Sequence, residues 1–149
     1  MNLNQWFENL FENNWMPLEE IFNSINQKKF ALRSISSFRK ASVARAKIID
    51  LALQLGNQTV VLLIAIAPFV EEKVEIQILV QLHPMSEKTY LPSNLRLILQ
   101  VESGEIIQEV VSLSNDNFIQ LKRFRGNSGE GFNIQVSDGD LTIKETFVI

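Results

Sequence analysis

Val74, Ile76, Ile78, Val80 and Leu82 alternate with Glu75, Gln77 and Gln81. A two-residue repeat of this kind gathers its apolar side chains on one face only when the backbone is extended; a helix would scatter them around its circumference. The repeat returns in Leu95, Leu97, Leu99 and Val101, in Phe132, Ile134 and Val136, and in Leu141, Ile143, Phe147 and Ile149. Turn-forming stretches separate these runs: ESGE at 102–105, SND at 114–116, GNSGEG at 126–131 and SDGD at 137–140. Asp138 and Gly139 carry the strongest turn signal, because both residues tolerate the positive φ of a two-residue hairpin. The pattern predicts seven strands, at about 58–67, 72–82, 94–101, 105–112, 117–125, 131–137 and 141–149. Val60, Leu62, Ile64, Ile76, Ile78, Val80, Leu97, Leu99, Ile134, Val136 and Ile143 are the expected core. The run TVVLLIAIAPFV (59–70) is about half the length of a bilayer span and is followed by Glu71 and Glu72, so it reads as a buried central strand rather than a membrane insertion.

The first 57 residues keep a different period. Leu3, Trp6, Phe7, Leu10 and Phe11 share one helical face, opposite Asn4, Gln5, Glu8, Asn9 and Glu12, and Trp15 extends the stripe. Pro17 suits the first position of a second helix, with Glu19 and Glu20 near its positive end. A third helix is expected from about 38 to 55, capped by Ser36 or Ser37, ended by Gly56-Asn57, and buried along Ala44, Ile48, Leu51 and Leu55. The predicted fold class is therefore α+β. A helical segment of about three helices (1–57) packs on an antiparallel, immunoglobulin-like β-sandwich of about seven strands (58–149).

The segments WFENLFENNWMPLEE, RAKIIDLALQLG, YLPSNLRLIL, ESGE, NDNFIQLKRFRG and GEGFNIQVSDGDLTIKETFVI, taken in order, resemble a cyanobacterial family, domain of unknown function 1822. The resemblance is densest from Tyr90 to Ile149 and is to the C-terminal half of typical members, which are about twice as long. It implies no activity and no catalytic residues to carry over.

Composition narrows the chemistry. A chain of 149 residues is long enough for its own core, and it lacks the basic, apolar start of a secretory signal. The absence of cysteine removes disulfides, thiolate metal sites and cysteine nucleophiles, and fits a cytoplasmic setting. His83, the only histidine, has no nucleophile at a readable spacing and sits at a strand end beside Pro84. SDGD and SNDN lack the ligand number of a calcium loop, and the carboxylate pairs Glu102/Glu105 and Asp138/Asp140 flank turns rather than a cleft. The glycines at 126, 129 and 131 lead into a strand, where a phosphate-binding loop would open a helix. No catalytic, metal or cofactor site is expected.

Two features remain as candidates for binding. Trp6, Phe11 and Trp15 are large aromatics of the kind interfaces use as anchors, set against the plainer role of packing on the sheet. Lys28, Lys29, Arg33, Arg39, Lys40, Arg45 and Lys47 form a basic stretch without an acid, and Arg39, Lys40, Arg45 and Lys47 are its candidate contact residues. Net charge is −3 and residues 50–149 hold thirteen acids against seven bases, which disfavours long-range attraction to nucleic acid. In NFIQLKRFRG (117–126), strict alternation places Arg123 and Arg125 with Ile119 and Leu121, and Lys122 with Phe118 and Phe124. The cations are then divided between faces. The expected function is a non-enzymatic protein-interaction or regulatory module with an unidentified protein partner. The alternatives are a nucleic-acid-associated protein using residues 28–47, or the accessory part of a longer enzyme.

Overall fold

The computed structural model describes residues 1–12, 14–21, 43–51, 59–70, 74–85, 90–139 and 141–149. The chain is mostly antiparallel β. It opens with a short 3-10 helix (Leu3–Glu8) and a single turn of α-helix, α1 (Leu18–Ile21). Nine strands follow: β1 (Val43–Asp50), β2 (Thr59–Val70), β3 (Val74–Pro84), β4 (Arg96–Val101), β5 (Ile106–Val111), β6 (Ile119–Gln120), β7 (Phe124–Gly126), β8 (Gly131–Asp138) and β9 (Leu141–Val148). One sheet runs β1-β2-β3-β6, with β7 also on β3, and the other runs β5-β4-β8-β9. The chain changes sheet after β3, β5 and β7.

The α+β expectation is overturned. Residues 43–50, predicted inside the third helix, form β1 and pair antiparallel with β2 along their whole length. The first predicted helix is a 3-10 turn closed by Asn9 at φ 61, whose N–H donates to the carbonyls of Gln5 and Trp6. Of the second predicted helix (17–26), Leu18–Ile21 is helical, Pro17 is not, and 22–26 lies outside the described residues, as does the Gly56-Asn57 stop. In place of the predicted helical segment and seven-stranded immunoglobulin-like sandwich, the described residues form two short helices and nine strands in two sheets.

All seven predicted strands are present, with one of them broken. Every core residue named from the sequence is buried except Ile143, which is half-buried. An alternation of buried and exposed residues is absent from β2 because Val60 through Ala67 are all buried. Leu62, Ile64 and Ile66 join the core between the sheets, while Val61, Leu63, Ala65 and Ala67 join a second cluster on the far side with Leu79, Ala46 and, from α1, Leu18 and Ile21. A strand covered on both faces reads as one continuous apolar run, as 59–70 does. The β8–β9 hairpin pairs Asp138 with Leu141, and Gly139 takes φ 58 in the turn between them.

The strand predicted at 117–125 is two strands separated by a bulge. Leu82 faces Ile119 and Ile78 faces Phe124, so four steps along β3 correspond to five along β6 and β7. The extra residue reverses the alternation. Leu121 is buried, Lys122 and Arg123 are both exposed, Phe124 turns inward onto Phe132, and Arg125 is exposed. The expected division of the three cations between faces is therefore incorrect.

Candidate functional site

One side of the sandwich, where β1 and β9 are the outermost strands, is closed by the N-terminal segment. Asn2 bridges to Val148 on β9, and Met16 bridges to Ala46 on β1 with both backbone bonds made. Between these anchors Trp6 packs on Phe11 and Trp15 at centroid distances of 5.4 and 5.3 Å, and both tryptophans meet Phe147. Phe147 in turn stacks on Phe132 at 5.2 Å. Trp6 is 1% exposed and Trp15 4%. Arg45 and Lys47 lie on the face of β1 that looks toward the other sheet, since their partners on β2 are the core residues Ile64 and Leu62. The Arg45 guanidinium carbon sits 3.9 Å above the Phe11 ring, a cation–π contact, and Lys47 is ion-paired with Glu145 of β9. Five of the seven residues singled out from sequence thus converge, but as a plug that joins the two sheets. Arg39 and Lys40 lie outside the described residues.

Beside this plug is a shallow cleft of about 490 Å³, lined by Met1, Glu12, Asn14, Trp15, Lys47 and Glu145. Two of its charges, Lys47 and Glu145, satisfy each other, and Glu12 also lines it. No hydroxyl side chain is among these lining residues. Among the described residues no group of three or more His, Asp or Glu side chains could hold a metal ion, and no helix is long and apolar enough to cross a membrane.

A second polar site lies on β3. Gln81 and His83 are buried on its outer face, and burial lowers His83 from 6.5 to about 4, so the ring is neutral at pH 7. With the proton on Nε2, His83 donates to Gln81 Oε1 at 2.8 Å, and the Gln81 amide donates to Gln120 Oε1 at 2.9 Å, tying β3 to β6. Phe118 stacks on the imidazole at 5.3 Å. The network links β3 and β6 with the Phe118 ring.

The opposite side of the sandwich is closed differently. Gln108 of β5 uses its side-chain amide like a strand residue, accepting from Lys122 N at 2.7 Å and donating to Lys122 O at 2.9 Å. This joins the bulge to the other sheet, and among the described residues no further strand pairs with the outer edge of β5. Ile106, Ile107 and Val111 are 52, 50 and 41% exposed, and Leu113, just past the strand, is 68% exposed. Half of the large exposed apolar side chains among the described residues therefore collect on one strand and its exit. That is the concentration an interaction surface shows, where isolated exposed apolar residues would not.

Compared with known sequences, residues 1–148 match the family described as "Protein of unknown function (DUF1822)". The chain belongs to this family. No curated protein and no solved structure matches it. The family match covers the N-terminal plug as well as both sheets, so the two are matched as one unit.

The β5 edge was missed in the sequence reading, although a signal was present. In IIQEVV (106–111) the apolar residues come in adjacent pairs, which no half-buried strand can hide on one face.

Proposed function

We propose that this chain is a non-enzymatic protein-interaction module that docks through the uncovered edge of β5. The observation that carries the reading is the exposure of Ile106, Ile107, Val111 and Leu113 along a strand that pairs, among the described residues, with β4 alone. An open sheet edge offers backbone N–H and C=O groups to an added strand, and flanking apolar side chains give it affinity. The aromatic residues first considered as anchors are spent on closing the sandwich, which supports moving the docking surface to β5. The cyanobacterial origin and the correspondence to the C-terminal half of longer members belong to this same reading. The test is affinity capture from the native host with the full chain and with the variant Ile106→Lys/Val111→Lys. We expect a partner held by the wild type and released by the variant. An identical set of captured proteins would remove β5 as the docking surface.

A second reading, binding of nucleic acid, gains one observation from the bulge, which leaves Lys122, Arg123 and Arg125 all exposed. Against it, Phe118 stacks on His83 and Phe124 packs on Phe132, so the aromatics beside these cations are engaged and offer no stacking platform. Titration against labelled duplex and single-stranded oligonucleotides at about 0.15 M salt, where screening acts over about 8 Å, separates the readings. We expect no binding at micromolar protein. Tight, salt-sensitive binding lost in Lys122→Gln/Arg123→Gln/Arg125→Gln would favour the nucleic-acid reading.

A further inference from the structure

The two sheets have four outer edges, and the chain blocks three of them. β1 carries the bridge from Met16, β9 carries the bridge from Asn2, and the edge made by β6 and β7 is broken by the bulge. Natural sheets blunt their edges by such means. β5 is the fourth edge, and among the described residues its strand pairs with β4 alone.

We infer that the open edge of β5 pairs antiparallel with β5 of a second copy of this chain. The inference rests on the interaction-module reading and names its partner. Charge is the first reason. Glu109 is the one ionisable side chain in Ile106–Val111, and Arg96 of β4 lies 3.5 Å from it in the same chain. The edge therefore offers no uncompensated charge to an ionic partner and does not repel its own copy. Composition is the second reason. The strand reads apolar-apolar-polar-polar-apolar-apolar, so running it against itself brings the Ile106-Ile107 end beside the Val110-Val111 end and leaves Gln108 and Glu109 near the middle. The match is built into one sequence, as a two-fold contact requires. β5 has a bulge of its own at Ile107, so the regular stretch available for pairing is Gln108–Val111, which stays in register with Leu99, Ile98, Leu97 and Arg96. Pairing through this stretch would fuse two four-stranded sheets into one of eight.

Size-exclusion chromatography with light scattering on the full chain tests this. At about 100 μM protein, where a Kd of about 10 μM keeps most chains paired, the wild type should show twice the 17.0 kDa chain mass. Ile106→Lys/Val111→Lys, at two exposed positions, should show the single-chain mass. Its melting temperature in dilute solution should match that of the dilute wild type, which separates lost pairing from lost folding. A wild type that remains single at this concentration overturns the inference, and so does a variant that still doubles. The capture experiment then tells the two claims apart. A single-chain wild type whose captured partner is lost in the variant ends the self-pairing and keeps the module, whereas a single-chain wild type with unchanged capture ends both.

Discussion

His83 ties the chemistry of one residue to the stability of the whole fold. Folding moves its imidazole from 6.5 to about 4 by burying it. Between those values the unfolded chain holds a proton that the native chain refuses. The stabilisation is complete above pH 6.5 and is lost as pH falls toward 4, at about 1.4 kcal/mol per pH unit and roughly 3 kcal/mol in all. Urea denaturation at pH 7.5 and 5 should show the wild type losing about 2 kcal/mol more than His83→Gln. Equal losses would mean that the ring is not buried. Trp6 makes a parallel case for the N-terminal segment, since it is 1% exposed and touches Phe11, Trp15 and Phe147. Trp6→Ala should cost roughly 3–5 kcal/mol in the same assay, through lost burial and a cavity. A midpoint that hardly moves would show that the segment is not part of the core.

At the level of elements, strand identity was legible wherever apolar side chains recurred at every second position, as in β3, β4, β8 and β9. β1 was not legible, and the reason is physical. Its outer face carries the small residues Ala44 and Ala46 beneath α1, and its inner face places Arg45 and Lys47 where an ordinary strand would have apolar side chains. Ala, Arg and Lys are helix formers, and Ala44, Ile48 and Leu51 mimic a helical stripe, so tertiary context overrode propensity. The inward cations are stable because Phe11 and Glu145 receive them. Lys47→Met should therefore cost about 1–3 kcal/mol, because Glu145, with a side chain only 12% exposed, loses its partner. Lys47→Met/Glu145→Met should cost less than the two single changes together. Additive losses in that double-mutant cycle would mean that the pair does not couple β1 to β9. The bulge at Lys122–Arg123 was equally hidden, since one inserted residue leaves no mark on composition and yet turns Phe124 inward.

Across the whole molecule the sheets are aligned so that β1 lies over β9 on one side and β5 near β6 and β7 on the other, with the chain's own N-terminal segment sealing the first side. Sequence patterns located the core but not this arrangement of edges, because edge status depends on which strands end up outermost. The candidate site suffered the same blindness. Trp6 and Trp15 look like anchors until the side they fill is known, and the edge position of β5 shows only once its strand partner is known, which among the described residues is β4 alone. The central claim is that three edges are closed within the chain and β5 is left for a second copy. Amide hydrogen exchange measured by mass spectrometry at about 1 and 100 μM protein tests it most directly, because exchange reports which backbone groups are paired. Peptides covering 43–50 and 141–148 should exchange alike at both concentrations, while in the peptide covering 106–111 the amides that face away from β4 should exchange rapidly when dilute and become protected when concentrated. Equal exchange of that peptide at both concentrations, or loss of protection in β1 or β9, would contradict the account.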